Sequence, residues 1–249
     1  MSLSSEMTYR ANFYVWILVH SLSLLSLILF FKIIYFNTIS INGWTEYQSL
    51  LVLGVGTLIT GLGSLTFFPF MYSFGEDIIN GKLDYSLTKP LDVHFLSSFR
   101  WVDIEDLVVT PNSLILITYS LYKLQPEKLF LNLSAFIVLL ICSLLLLYAL
   151  LTFIQSLAIK YMKVDSVTQF FWSIVNISKY PAKSIKNLSL VSMIFLFPVA
   201  LIASVPAEVL FGRWDIVWIA TSLLVCPALF ILSRKFFYSS LRLYSSASS

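Results

Sequence analysis

The sequence predicts an all-α, polytopic membrane protein with six transmembrane helices and both termini on the cytoplasmic side. Three observations carry that prediction. Charged residues make up only 12% of the 249 positions, about half the share in a soluble globular chain. Hydrophobic residues reach 58% and the mean hydropathy is +0.86. A soluble fold of this length has too little interior to hide so many apolar side chains. Finally, the apolar residues gather into six stretches near the roughly 20 residues that a helix needs to cross the hydrocarbon core. Residues 1–249 read as a single transmembrane domain with membrane lipid as its solvent.

The first span runs over 13–36 and the second over 50–72. The third covers 101–122, most apolar from Leu107 onward. The fourth, 129–159, is the longest and most uniform. The fifth, 188–205, is broken by Pro198, and the sixth, 216–233, contains Pro227. Such prolines are tolerated because neighbouring helices and waters satisfy the freed carbonyls. The first span is about twice the length of a secretory signal core and no small-residue cleavage pattern follows it, so it is expected to be a permanent anchor.

Orientation follows from lysine and arginine in the loops. With the N-terminus inside, twelve cations face inward: Arg10; Lys82, Lys89 and Arg100; Lys160, Lys163, Lys179, Lys183 and Lys186; and Arg234, Lys235 and Arg242. Four face outward: Lys32, Lys123, Lys128 and Arg213. Segment 166–187 fits two schemes. Its apolar part, Ser166 to Tyr180, is either an amphipathic helix at the cytoplasmic interface or an outward crossing. In the second case 188–205 becomes a re-entrant hairpin kinked at Pro198. Loop charge favours the first scheme. Both give six crossings.

The outside loops carry little chemistry, and Trp44 and Tyr47 read as interfacial anchors. The inside loop 73–99 is more informative. Gly75 to Asn80 suits a short helix with Glu76 and Asp77 in its first turn, where negative charge complements the macrodipole. Gly81 stands where a helix C-terminus favours positive φ. Leu83, Tyr85 and Leu87 then alternate with polar residues until Pro90. A short helix held between two membrane helices is a rigid handle. Asp103, Glu105 and Asp106 lie where the third span begins. Capping and headgroup hydration satisfy acids at that position; a proton or cation role is the alternative. His20 reads as a packing residue. His94 has no partner at metal spacing. Gly54, Gly56, Gly61 and Gly63 on the second span read first as close-packing points.

Catalysis is not expected. No carboxylate pair, nucleophile–histidine arrangement or zinc motif is visible, and Gly81-Lys82 lacks both the upstream glycine and the following Ser or Thr of a P-loop. Span centres are nearly free of charge, which argues against an ion-coupled secondary transporter. What remains is a membrane module driven by another chain, or a membrane scaffold or assembly factor that moves nothing.

Further motifs run nearly end to end: Tyr9-Arg10-Ala11-Asn12-Phe13, Gly43-Trp44, Gly81-Lys82-Leu83-Asp84-Tyr85, Leu87-Thr88-Lys89-Pro90-Leu91 and Arg100-Trp101-Val102-Asp103. Later come Phe171-Trp172, Lys179-Tyr180-Pro181, Phe197-Pro198-Val199-Ala200, Val205-Pro206-Ala207, Leu210-Phe211-Gly212-Arg213 and the stretch from Leu241 to Ser249. In their order and spacing the chain resembles the membrane subunit of bacterial type-2 ABC transporters, the ABC-2 family transporter proteins. Ser86 and Thr88 depart from the bulky apolar or basic residues more usual there.

The resemblance implies an exporter-like fold in the bacterial cytoplasmic membrane, with export of a hydrophobic or amphipathic substrate. It implies two copies, or two related permeases, around a translocation path, and a pair of ATPase subunits beneath that hold the ATP and magnesium. The chain itself would hold no cofactor or metal. Loop 73–99 would be the coupling element, with Glu76, Asp77, Ile78, Ile79, Gly81, Lys82, Leu83, Asp84 and Pro90 at the ATPase. Leu83 and Ile79 would give the apolar contact, and Glu76, Asp77 and Asp84 would face basic groups. ATPase closure would shift the first, second and fifth spans. The re-entrant element of the family favours the outward crossing of 166–180.

Overall fold

The computed structural model describes residues 10–79, 82–99, 105–161, 165–181 and 197–242, and they are almost wholly helical. In chain order the helices are α1 (Arg10–Tyr35), α2 (Glu46–Thr66), α3 (Phe68–Ile79), α4 (Lys82–Leu87), α5 (Val93–Ser98), α6 (Val109–Leu124), α7 (Leu129–Tyr161), α8 (Asp165–Ile177), α9 (Phe197–Leu210) and α10 (Ile216–Leu241). A 3-10 turn, Glu105–Val108, leads into α6. Four helices, α1, α2, α7 and α10, are long and apolar enough to cross a membrane.

Helix α2 is the hub. Thr45 and Gln48 cap it reciprocally, a capping box that satisfies two backbone donors at once. Its glycines then let other backbones approach. A Cβ on Gly54 would lie 2.9 Å from Ile117 of α6, and one on Gly61 would lie 3.0 Å from Val109 at the start of α6. These two contacts set α6 antiparallel to α2. A Cβ on Gly56 would lie 3.1 Å from the Lys179 backbone, with Ala203 of α9 behind it. The glycines are therefore packing points, as small residues in lipid generally are.

The expected second span is two helices. Phe67 leaves helical geometry and α3 begins at Phe68. Pro69 supplies the reason: it has no N–H to continue the ladder, and its ring collides with the carbonyl four residues back. The expected alternating segment after Gly81 is instead helix α4. Asn80 and Gly81 lie outside the described residues. The third span is helical as α6 from Val109; Trp101 to Ile104 also lie outside the described residues. The sixth span continues beyond Ser233 to Leu241.

Helix α8 does not lie alone at the handle end, meaning the end of the bundle that carries α3 to α5. Its Phe171 and Trp172 pack on Phe68 there. Lys179, just beyond it, rests against Gly56 halfway along α2, and Tyr180 packs on Phe30 and Phe31 near the far end of α1. The segment thus climbs along α2.

Helix α9 contains a π turn, Ala200–Ser204, in which the Val205 N–H reaches the Ala200 carbonyl. In that register the next donor would serve Leu201, but the next residue is Pro206, which has none. Ser143 of α7 donates its hydroxyl to the Leu201 carbonyl at 3.2 Å, sharing it with Leu139. A carbonyl freed inside an apolar bundle is thereby satisfied.

Gly54→Val should cost about 2 kcal/mol or more, because overpacking against a backbone has little room to relax. Thermal unfolding of the purified protein in detergent measures it, and an unchanged midpoint would refute the α2–α6 contact.

Candidate functional site

The side chains that converge most densely lie where α5 meets α7 and α10. Asp92 begins the arrangement. Its carboxylate caps α5, accepting from the Phe95 N–H at 3.0 Å, which satisfies one orphan donor of the first turn. The same carboxylate pairs with Arg234 of α10 and accepts from the Tyr238 hydroxyl at 2.7 Å. The Arg234 guanidinium also sits over the Tyr238 ring.

One turn on, His94 enters the core and is only 2% exposed. Its Nε2 lies 2.9 Å from the Thr152 hydroxyl and its Nδ1 lies 3.1 Å from the Tyr148 hydroxyl, both on α7. Tyr148 also reaches Ser98 at 2.8 Å, and Ser98 donates to the His94 carbonyl. The rings of Phe237, Tyr148 and Phe70 surround the imidazole. Of these hydroxyls, Tyr148 donates to Ser98 and Thr152 donates to the Tyr148 carbonyl, so each has a partner besides the imidazole. The Gln155 side chain donates to the Phe70 carbonyl at 3.3 Å and ties α3 to the same helix. The handle is thus clasped to two long helices by an ion pair at its rim and a buried imidazole behind it.

The expected coupling residues divide by where they stand. Leu83 is 1% exposed and Ile78 is also buried, both within the main core. They anchor the inner face of the handle, so Leu83 does not present the outward apolar surface expected of it. Asp77 and Asp84 are half-buried and Pro90 is exposed. Gly81 and the side chains of Glu76, Ile79 and Lys82 lie outside the described residues, as do Asp103 and the side chains of Glu105 and Asp106. The exposed apolar surface belongs to Leu87, Leu91, Phe95 and Phe99, with Leu91 and Phe95 above 60% exposed. Their spacing of four residues was visible in the sequence. Periodicity hides it because Pro90 interrupts the helix that would have put all four on one face.

At the opposite end, Trp44 is not an interfacial anchor but a core residue, 1% exposed. Asn42 and Gly43, both at positive φ, form a two-residue turn between Ile41 and Trp44, which bond to each other at 2.9 and 3.0 Å. Such turns require that geometry, and this one folds the indole inward. Arg213 then stacks on Trp44 and Phe211, 5.4 Å from each ring centre. Asn132 donates to the Leu210 carbonyl and accepts from the Trp214 indole N–H. Two motifs distant in sequence, Gly43-Trp44 and Leu210-Phe211-Gly212-Arg213, thus close one end of the bundle. Among the described residues, no group of three or more His, Cys, Asp or Glu side chains could hold a metal ion.

Burial lowers the pKa of His94 from 6.5 to about 4, because the charged ring loses its hydration. Between those values the unfolded chain binds more protons than the folded one, so stability rises with pH across that window. It is fully present above about pH 7 and is lost as pH falls toward 4. Acidification from pH 7.5 to 5 should cost about 2 kcal/mol from this group. Thermal unfolding at the two pH values measures it, and His94→Gln should remove that part of the dependence. An equal dependence in the variant would mean that another group is responsible.

No curated protein and no solved structure matches the chain. A family model described as ABC-2 family transporter protein matches residues 21–248. With that match covering nearly the whole sequence, the chain belongs to the ABC-2 family of transporter proteins.

Proposed function

We propose that this chain is one half of the translocation path of an ABC exporter. Members of the family are the transmembrane, non-catalytic components of ABC transporters and associate with an ABC ATPase. In this reading, two copies or two related permeases form the path and a pair of ATPases docks beneath the handle. The membrane is the bacterial cytoplasmic membrane, and the cargo is hydrophobic or amphipathic. The apolar surface that α1 leaves uncovered suits lipid and a second permease.

Six crossings with both termini cytoplasmic follow from the loop charges. The climb of α8 along α2, with Lys179 at Gly56, supports residues 165–180 as the fifth crossing. Helix α9, whose Leu201 carbonyl meets Ser143 well inside α7, then belongs to the re-entrant element.

The observation that carries the coupling reading is the clasp. Asp92 and His94 tie α5 to α7 and α10, and α2 continues into α3 through the single residue Phe67. A push on the handle would therefore move the second, fourth and sixth spans together. The sequence-based expectation named the first, second and fifth spans instead. Leu87, Leu91, Phe95 and Phe99 form the apolar contact, with Glu76, Asp77 and Asp84 facing basic groups on the ATPase. Such a shift needs contacts that differ between two states, and a rim ion pair supplies one that can be remade.

Co-purification with an ATP-binding subunit tests the assignment; its absence would leave a non-transporting scaffold. Gly81→Pro, or charge reversal at Glu76 and Asp77, should leave membrane insertion intact and abolish cargo-stimulated ATP hydrolysis. Asp92→Asn keeps a good cap but weakens the Arg234 pair. It should leave basal hydrolysis unchanged and lower transport per ATP several-fold. Normal transport in all of these variants would refute the handle.

A further inference from the structure

We propose that the handle-end face of α10 binds the phosphate group of an anionic phospholipid. Arg234, Lys235 and Arg242 project from that face with Tyr238 among them and Phe230 and Ile231 alongside. Together with Ser239 they line an open groove of about 540 Å³ along this one helix. Depth is the first argument. Helix α10 has 26 residues, whereas about 20 cross the hydrocarbon. Counted from Ile216, the apolar stretch ends near Lys235, so these cations stand at headgroup level. Ile231 and Leu232, one turn earlier, are exposed as lipid contacts.

Charge is the second argument. Among the described residues a single carboxylate, Asp92, pairs with this face, through Arg234. Three cations against one acid leave an excess positive charge, and basic pockets at this level attract anionic headgroups. Arg234 has five N–H donors in a planar fork; Asp92 occupies one edge, and the rest can reach a phosphate. Lys235 and Arg242 are exposed and add point charge and a second fork.

The composition of the face decides between sources of phosphate. Phe230 and Ile231 would lie beside the glycerol and upper acyl chain of a lipid and offer nothing to a free ion. A zwitterionic headgroup brings its own cation and gains less. Because the bound phosphate would share Arg234 with Asp92, the site lies directly on the rim of the clasp. The inference rests on α10 crossing the bilayer, and it does not depend on the ATPase.

The test uses the full chain with its co-purifying subunits in detergent, given equal amounts of phosphatidylglycerol and phosphatidylcholine and analysed by native mass spectrometry. The wild type should retain phosphatidylglycerol preferentially. Lys235→Gln with Arg242→Gln, both exposed and outside the clasp, should lower that retention about tenfold or more, at roughly 1 kcal/mol per cation. Phosphatidylcholine should be unaffected. Lys160→Gln, a cation lost at the same end from α7, should match the wild type. Three results would each overturn the proposal: undiminished retention in the double variant, an equal loss in Lys160→Gln, or displacement of the lipid by excess inorganic phosphate.

Discussion

Close approach of backbones to α2 is the constraint on which the rest of this architecture depends. In lipid there is little hydrophobic gain from bringing two apolar helices together, so association rests on packing contacts and interhelical hydrogen bonds. Gly54, Gly56 and Gly61 have no Cβ and let α6, the end of α8 and α9 rest directly on the α2 backbone. Most of α2 is buried as a result, while α1 is almost bare. The burial of α2 explains a further feature. Thr57 and Thr60 are inside, yet each hydroxyl donates to a carbonyl of its own helix. A polar side chain can then sit in the hub without a partner from outside.

Once α2 is fixed, every break in helicity around it has to be satisfied within the protein. Pro69 ends the run after Thr66 and begins α3 at a new angle. Pro206 frees the Leu201 carbonyl, and Ser143 takes it up. Leu210, at the end of α9, gives its carbonyl to Asn132. Two prolines and two small polar residues on α7 thus mark where the chain breaks into separate helical pieces. Helix α7 is the ruler for these pieces: Asn132 and Ser143 receive Leu210 and Leu201 of α9, Tyr148 and Thr152 together receive His94, and Gln155 receives Phe70, in order down its length.

That ordering also shows what the sequence could and could not reveal. Hydropathy found α1, α7 and α10 because their lengths are set by the bilayer. The glycines of α2 were legible as packing points because small residues have few other uses on an apolar helix. Hydropathy could not see the division at Phe67, since α2 and α3 are equally apolar and only Pro69 marks the change. Trp44 reads as interfacial from sequence because a tryptophan near a span end fits that belt equally well. Its burial depends on Arg213, some 170 positions away. The clasp was invisible for the same reason. His94 lies 54 and 58 residues from its partners on α7, and Asp92 lies 142 from Arg234. No local periodicity encodes such pairings.

The two parts of the clasp differ in a way that bears on motion. His94 is surrounded by rings and bonded at both nitrogens. Pulling it out would expose apolar surface and break the hydrogen bonds at both of its nitrogens, so it resists separation. Asp92 and Arg234 are partly exposed, and such a pair contributes little net stability in water. It can therefore be broken and remade at little cost in free energy. The clasp thus has a buried, fixed part at the imidazole and a partly exposed, changeable contact at the rim. The cationic face of α10 lies beside the changeable part, where a bound phosphate would have most influence on which rim contact prevails.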